Sequence, residues 1–333
     1  MSWNRTAAAF AFSCASAIIY PGASDAQAAN TVVAFNEVWA YLMNGEELFL
    51  SGSLPISDLC YFSAEINAYG ELSGVPDIGR LSAFAGRKHL VIAEIGSYSL
   101  THFCLDPSYP VRDRLIDEII VASLPYDGVQ IDFEAIPVRD RENFVDFLRL
   151  LKNGLGQKTL SVALPARLTE SGDVLGYSRI GSIVDRVVVM AYDEHWSTSA
   201  AGPVASMDWC ARVASYAASR LEPRKLVMGL PFYGRAWGDK KPNRAYKYSG
   251  VKSLADEKGV GVFFRENEVP WFRYEETVTV DVYYDDAEST EYRARMYRDS
   301  GIGAVAFWRL GQEDPEFWAR LVIDSSGIET VFR

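Results

Sequence analysis

The stretch that decides the fold runs from Tyr126 to Glu134 and reads YDGVQIDFE. Within it Gln130, Asp132 and Glu134 stand two residues apart, so on a β-strand all three face the same side. The residues that alternate with them are apolar, which is typical of a strand that is buried on both faces. The stretch therefore predicts a buried strand that directs an amide and two carboxylates toward one point.

Two carboxylates that are buried side by side are unfavourable unless they form hydrogen bonds or share a proton. This cost raises the pKa of one carboxyl group, which is how an enzyme obtains a general acid. The alternative is a strand end with solvated acids, but the apolar neighbours Val129, Ile131 and Phe133 oppose it. Asp132 and Glu134 are therefore the first catalytic candidates.

Short apolar runs alternate with amphipathic segments along the rest of the chain. The segments Asp140–Leu151 and Met207–Leu221 carry hydrophobic residues at helical spacing. Eight strands with helical crossovers predict an α/β fold, the (β/α)8 barrel. A doubly wound open sheet is the alternative, although no G-x-G-x-x-G follows a strand. The predicted strands are Val38–Met43, Asp58–Ala64, His89–Ile95, Gly128–Phe133, Thr159–Leu164, Val187–Ala191, Lys225–Leu230 and Ala304–Phe307.

The seventh and eighth predicted strands are separated by about seventy residues, which is too long for a plain loop and helix. Residues 237–282 are rich in aromatic side chains and contain the alternating run Thr277–Val282. We therefore predict a small β-rich insertion between strands seven and eight that closes one wall of the site.

DGVQIDFE resembles the DGxDxDxE signature of glycoside hydrolase family 18, the chitinase-like hydrolases. Gln130 departs from the signature, and an amide at this position resembles the spore cortex-lytic branch, which cleaves peptidoglycan. Met190–Asp193 is similar to the MxYD motif, Gly229–Arg235 to GxPxYGR, and Trp308 ends strand eight where the family has an indole under the sugar. The resemblance covers roughly residues 30–333 and implies a TIM barrel with the same insertion.

The resemblance implies a hydrolase of β-1,4-linked N-acetylglucosaminyl glycans, of peptidoglycan or chitin type, that works through an oxazolinium intermediate without a cofactor. Glu134 would protonate the glycosidic oxygen, Asp132 would orient the 2-acetamido group, and Tyr192 would hydrogen-bond the acetamido oxygen. The residues expected to bind substrate are Asp193, Trp308, Tyr233, Arg235, Gln130, Tyr41 and Glu94.

Glu94 stands where the family often has a serine at the end of strand three. Because Gln130 replaces a carboxylate on the adjacent strand, we hypothesise that Glu94 restores it by a hydrogen bond to Gln130 or Tyr41. The alternative is a strand-end glutamate that faces a helix.

Other functions stay open at this point. A chitinase-like lectin would bind amino sugars without cleaving them, but such relatives typically lose the acid, whereas Glu134, Asp132 and Tyr192 are present. A barrel enzyme with unrelated chemistry is opposed by Tyr192 and Trp308. The alternative for Trp308 is a core position, and Arg235 could instead form a structural ion pair.

The composition, with 49% hydrophobic and 23% charged residues, is typical of a globular domain. The net charge of −11 opposes nucleic acid and anionic membranes as partners. An N-acetylglucosamine-containing polysaccharide is the expected partner, and a monomer is expected. His89, His102 and His195 are scattered, so no metal site is expected.

Residues 1–28 have the pattern of a cleavable signal peptide, with Arg5, an apolar run and an A-x-A site at Ala26–Ala28. They predict a secreted, periplasmic or cell-envelope protein without a membrane span after cleavage. A transmembrane anchor is the alternative, but the run is short for a bilayer. Cys14 lies inside the run rather than at its end, which opposes a lipoprotein anchor.

Three cysteines remain after this predicted cleavage: Cys60, Cys104 and Cys210. An odd number allows at most one disulfide within the chain, and the sequence does not choose a pair. Buried thiols that act as small hydrophobic side chains are the favoured interpretation.

Overall fold

A computed structural model describes residues 32–169, 175–239, 243–276 and 278–324, so the predicted signal lies outside the described residues. Eight parallel strands pair in sequence order, and the last pairs with the first, which closes a barrel. The predicted (β/α)8 barrel is therefore confirmed. Its strands are β1 Glu37–Met43, β2 Asp58–Ile66, β3 Arg87–Glu94, β4 Gly128–Phe133, β5 Thr159–Pro165, β6 Arg186–Met190, β7 Leu226–Pro231 and β8 Ala304–Trp308.

Helices form the outer layer because each has one apolar face. In the helix that follows β4, Phe144, Phe147, Leu148 and Leu151 are buried at helical spacing against the barrel. In the first two crossovers, where all residues are described, the short 3-10 turns Glu47–Phe49 and Ile78–Leu81 stand in place of an α-helix. The α-helices are α1 Tyr98–Leu105, α2 Val111–Ala122, α3 Arg141–Leu155, α4 Tyr177–Gly181, α5 Met207–Arg220, α6 Tyr248–Glu257 and α7 Ala287–Asp299.

An antiparallel five-stranded sheet lies between β7 and β8, together with α6. This confirms the β-rich insertion, but the sheet begins at Tyr233 rather than near residue 237. The reason is that β7 ends at Pro231 and only Phe232 separates it from the first strand of the sheet. In spatial order the strands of the sheet are Arg244–Lys247, Tyr233–Gly238, Thr279–Tyr283, Val269–Glu275 and Phe264–Glu266.

Short elements complete the described chain. The strand Val33–Phe35 pairs in parallel with Leu321–Ile323, and Leu72–Ser73 pairs with the end of β2. Three 3-10 helices span Val138–Asp140, Pro223–Lys225 and Pro315–Arg320. None of the helices in the described ranges is both long enough and apolar enough to cross a bilayer.

An ionic cluster lies near the amino-terminal end of the barrel. The buried Asp58 carboxylate accepts two hydrogen bonds from the Arg87 guanidinium, at 2.6 and 2.7 Å, and lies 2.8 Å from His89 Nε2. Burial opposes ionisation, yet the hydrogen bonds from His89 and Arg87 hold the pKa of Asp58 at about 2. The cluster lies at the end of the barrel opposite the catalytic candidates, and within it His89 Nδ1 is buried without a hydrogen-bond partner among the described residues.

Cys60, Cys104 and Cys210 are buried and unpaired. Burial raises the pKa of Cys104 and of Cys210 to about 12, so both thiols stay protonated near neutral pH. The interpretation of these cysteines as small hydrophobic side chains is confirmed.

Candidate active site

A cleft of about 240 Å³ opens at the carboxyl-terminal ends of the barrel strands, where barrel enzymes carry their catalytic groups. Seven of the ten predicted site residues line it. Arg235 lines an adjoining pocket, whereas Gln130 and Glu94 do not line the cleft. The lining residues are Tyr41, Phe62, Ile95, Asp132, Glu134, Ala163, Met190, Tyr192, Asp193, Tyr233 and Trp308.

Asp132 points into the barrel from β4 and is only 5% exposed. Its Oδ1 atom is buried and has no hydrogen-bond partner among the described residues. Burial, and then the nearby charge of Glu134, raises the pKa of Asp132 to about 7. The site therefore holds a carboxyl group that can be neutral near pH 7 and has a free acceptor atom.

Glu134 follows the last residue of β4 and reaches the open part of the cleft. Its backbone N–H donates to the carbonyl of Glu94 at 3.0 Å, which continues the ladder between β3 and β4. Desolvation in the cleft, and then the charge of Asp193, raises the pKa of Glu134. A raised pKa in a group that solvent can reach is what a general acid requires.

Asp193 is held between the barrel and the insertion. Its backbone has a φ of 60°, and its Oδ1 atom accepts a hydrogen bond from the Tyr233 hydroxyl at 2.6 Å. Arg235 Nη2 donates to the same oxygen over 3.3 Å, so the structural alternative for Arg235 is partly correct. Arg235 Nε is buried and has no partner among the described residues, so the guanidinium is only partly satisfied by the protein.

Two aromatic side chains, Tyr192 and Trp308, line the cleft together with the carboxylates. Burial raises the pKa of Tyr192 well above its usual value, so its hydroxyl stays a donor. Trp308 is half-buried at the end of β8, and its ring lies 5.2 Å from that of Tyr41 and 5.0 Å from that of Phe62. Trp308 therefore lies on the wall of the cleft rather than wholly in the core.

Gln130 lies below the cleft and is fully buried. Its Oε1 atom accepts a hydrogen bond from the Tyr41 hydroxyl at 2.7 Å, and its Nε2 atom donates to Ser161 Oγ at 3.2 Å. The amide supports the floor and does not line the surface that a substrate would meet. Ser161 was missed by the sequence analysis, although it lies two residues before Ala163 on the face of β5 that lines the cleft.

The predicted hydrogen bond from Glu94 to Gln130 or Tyr41 is wrong. The register pairs Glu94 with Phe133, whose side chain packs outward against α3, whereas Gln130 pairs with Val91. Glu94 Oε1 instead accepts from the backbone N–H groups of Gly96 and Ser97, at 3.0 and 2.7 Å. Glu94 therefore caps the loop into α1, closer to the strand-end alternative.

The Tyr41–Gln130 hydrogen bond predicts a measurable effect of Tyr41→Phe. The substitution leaves a buried acceptor without its donor, which costs about 1–3 kcal/mol. Because Tyr41 also packs against Trp308, we expect kcat/KM on a glycan substrate to fall roughly tenfold.

The matched control is Tyr126→Phe, which removes a buried hydroxyl that donates to the Pro76 carbonyl at 2.8 Å away from the cleft. Urea unfolding should show similar losses for both variants, and only Tyr41→Phe should lose activity. Equal activities in the two variants would contradict a role for the floor in positioning the site.

The model of the glycosyl hydrolases family 18 matches residues 104–313, more than half of the chain. The chain belongs to this family, and the protein is a glycosidase.

Its similarity to particular relatives is more limited. The chain is 27% identical to the cortical fragment-lytic enzyme of Bacillus anthracis over 79% of this chain and 67% of that protein. It is 25% identical to chitinase B of Serratia marcescens over 59% of this chain and 56% of that protein. The spore cortex-lytic enzyme SleL of Bacillus cereus has a similar structure, with a TM-score of 0.78, 25% identity and coverage of 89% and 76% of the two chains.

Proposed function

We propose that the protein hydrolyses β-1,4-linked N-acetylglucosaminyl glycans with retention of configuration, and that the substrate's own 2-acetamido group is the nucleophile. The observation that carries this proposal is the buried Oδ1 atom of Asp132, which has no hydrogen-bond partner among the described residues. An orphaned buried acceptor costs free energy. The N–H of an acetamido group would satisfy it, and a carboxylate nucleophile is not needed.

In the first step the acetamido carbonyl oxygen attacks the anomeric carbon while the glycosidic bond breaks. Glu134 gives its proton to the leaving oxygen, and a cyclic oxazolinium ion forms. Asp132 accepts the acetamido N–H and stabilises the positive charge, and Tyr192 donates to the acetamido oxygen. Both carboxyl groups have raised pKa values, which supports a proton on Glu134 at the start of the cycle.

In the second step water attacks the anomeric carbon and opens the oxazolinium ring. Glu134, now ionised, takes the proton from this water and returns to its starting state. The two displacements at one carbon give net retention. Trp308 offers an aromatic face to the sugar ring, and Asp193 is a hydrogen-bond acceptor for its hydroxyl groups.

Peptidoglycan is the favoured substrate, with chitin as the second. The support is the amide at Gln130, together with the 27% identity, over 79% of this chain, to a relative that is named a cortical fragment-lytic enzyme. We also propose export, on the strength of the signal pattern in residues 1–28. Amino-terminal sequencing of protein from the producing cell would test it, since an intact Met1 would contradict cleavage.

The test of the mechanism is the first product formed from N-acetylglucosamine oligomers and from peptidoglycan strands. We expect new reducing ends with the β configuration in early NMR spectra, before mutarotation. De-N-acetylated oligomers of the same length should be cleaved at least about 10²-fold more slowly, because they lack the internal nucleophile. An initial α product, or equal cleavage of both oligomers, would contradict substrate assistance.

A further inference from the structure

A cationic pocket adjoins the cleft on the side of Trp308. It has a volume of about 330 Å³ and shares Asp193, Tyr233 and Trp308 with the cleft, but neither Asp132 nor Glu134. Three basic side chains line it: Arg235, Lys247 and Arg309. Because the chain as a whole has a net charge of −11, this local excess of positive charge indicates that the pocket favours an anionic ligand.

The three cations differ in how far they are already neutralised. Arg235 is 13% exposed, has only the long 3.3 Å contact to Asp193, and keeps Nε without a partner among the described residues. Arg309 is ion-paired with Glu46. Lys247 is exposed, lies 5.6 Å above the ring of Phe49, and has no carboxylate partner in the described parts of the chain. Arg235 and Lys247 therefore have unused capacity to bind a negative group.

The position of the pocket tells which part of a glycan would reach it. Under the proposed function the scissile bond lies at Glu134 and the reacting sugar lies against Trp308. A second pocket shares Glu134 with the cleft, contains Trp209 and does not include Trp308, so under the same assumption it would take the leaving group. The cationic pocket shares Trp308 but not Glu134, so it lies beyond the reacting sugar, on the glycone side.

We propose that this pocket binds a carboxylate carried by the sugar that precedes the reacting one. This inference rests on the proposed function and deepens it, because it names the chemistry that separates two glycan classes. N-acetylmuramyl sugars carry a lactyl carboxylate, or a stem peptide with its own carboxylates, whereas chitin carries neither. Carboxylate is also the group that the donor fork of Arg235 matches in geometry.

The experiment compares kcat/KM on four substrates of equal length. They are peptide-free peptidoglycan strands, the same strands with their carboxylates converted to amides, strands that keep their stem peptides, and N-acetylglucosamine oligomers. We expect kcat/KM to be roughly tenfold higher for the free-acid strands than for the amide strands, because the carboxylate would form a charge-assisted hydrogen bond of about that value. The preference should shrink at 1 M salt, where charge interactions are screened.

Lys247→Gln should lower this preference about threefold, because an exposed charge is partly screened, and Lys247→Glu should abolish it. The matched control is Lys252→Gln. Lys252 is also exposed, also lies over a phenylalanine ring (5.3 Å from that of Phe263), and does not line the pocket. It makes the same change in net charge and should leave the preference unaltered.

The outcomes separate this inference from the proposed function. No cleavage of any of the four substrates would overturn the proposed function itself. Cleavage of all four at equal rates, or a preference that Lys247→Glu leaves intact, would overturn the pocket alone. A preference seen only with stem peptides would support the pocket and identify the peptide carboxylate as its ligand.

Discussion

Glu134→Gln should reduce glycan hydrolysis by about 10³-fold, the middle of the range for loss of a positioned general acid and base. The substitution keeps the size and shape of the side chain but removes the proton that the leaving oxygen needs. Glu134 lines the open cleft and makes no side-chain hydrogen bond that supports the barrel among the described residues. The free energy of unfolding should therefore change little.

The measurement is reducing-end release from peptidoglycan and from N-acetylglucosamine oligomers, with binding of the same oligomers measured by calorimetry. We expect Kd to stay within about threefold of wild type, since binding energy resides in the rest of the cleft. Glu275→Gln, at the exposed end of the strand Val269–Glu275, is the matched control and should keep full activity.

Full activity in Glu134→Gln would show that another group is the acid. Tight binding without cleavage by the wild-type protein would instead favour the lectin alternative.

Asp132→Asn should strongly reduce activity and at the same time stabilise the fold above neutral pH. Asp132 is 5% exposed, and burial and Glu134 raise the pKa of its carboxyl group from 3.8 to about 7. Its ionised form is therefore unfavourable in the folded protein. We expect kcat to fall by at least about 10²-fold, because an amide stabilises an oxazolinium cation poorly.

The sign of the pH effect follows from linkage. Between the unfolded value of 3.8 and the folded value of about 7, the folded protein binds more protons at Asp132 than the unfolded chain does. Stability therefore falls as pH rises through this window. Each pKa unit corresponds to about 1.4 kcal/mol, so the penalty at pH 8 has an upper limit of roughly 4 kcal/mol.

Urea unfolding of wild type and Asp132→Asn at pH 4 and pH 8 measures this penalty. We expect the variant to be more stable by about 2 kcal/mol at pH 8, because relaxation lowers the upper limit, and equal to wild type at pH 4. Asp58→Asn is the opposite control. The pKa of Asp58 is lowered to about 2 by His89 and Arg87, so its loss should destabilise the fold at pH 8.

A variant that is no more stable than wild type at pH 8 would show that Asp132 is not strained in the resting protein. The reading of its unpartnered oxygen as a site prepared for the substrate would then lose its support. Loss of activity without a gain in stability would therefore indicate a structural role for Asp132 in place of the proposed one.

The sequence was sufficient for the barrel and for the position of the carboxylates along the chain. All eight strands lie within three residues of their predicted bounds, because buried parallel strands are continuous apolar runs that turns interrupt. The period of two in β4 also directs Asp132 into the barrel and Phe133 outward. These are local properties, which depend on neighbours in the chain.

Only the tertiary structure decided which groups meet across strands. Glu94 is the last residue of β3, and its register with Phe133 turns it away from Gln130. Ser161 is an ordinary serine in sequence, and its place under Gln130 depends on how β4 and β5 pair. A shift of one residue in such a register reverses every side chain, and no local pattern reports the register between distant segments.

The cationic pocket also consists of residues that only the tertiary structure brings together. Arg235, Lys247 and Arg309 come from the insertion and from the end of β8, up to 74 residues apart in the sequence. The chain as a whole is acidic, so composition argued against an anion site. Local charge depends on which side chains folding brings together on one surface. The sequence by itself therefore determined the barrel and its two carboxylates, whereas only the tertiary structure decided the charged surface around them.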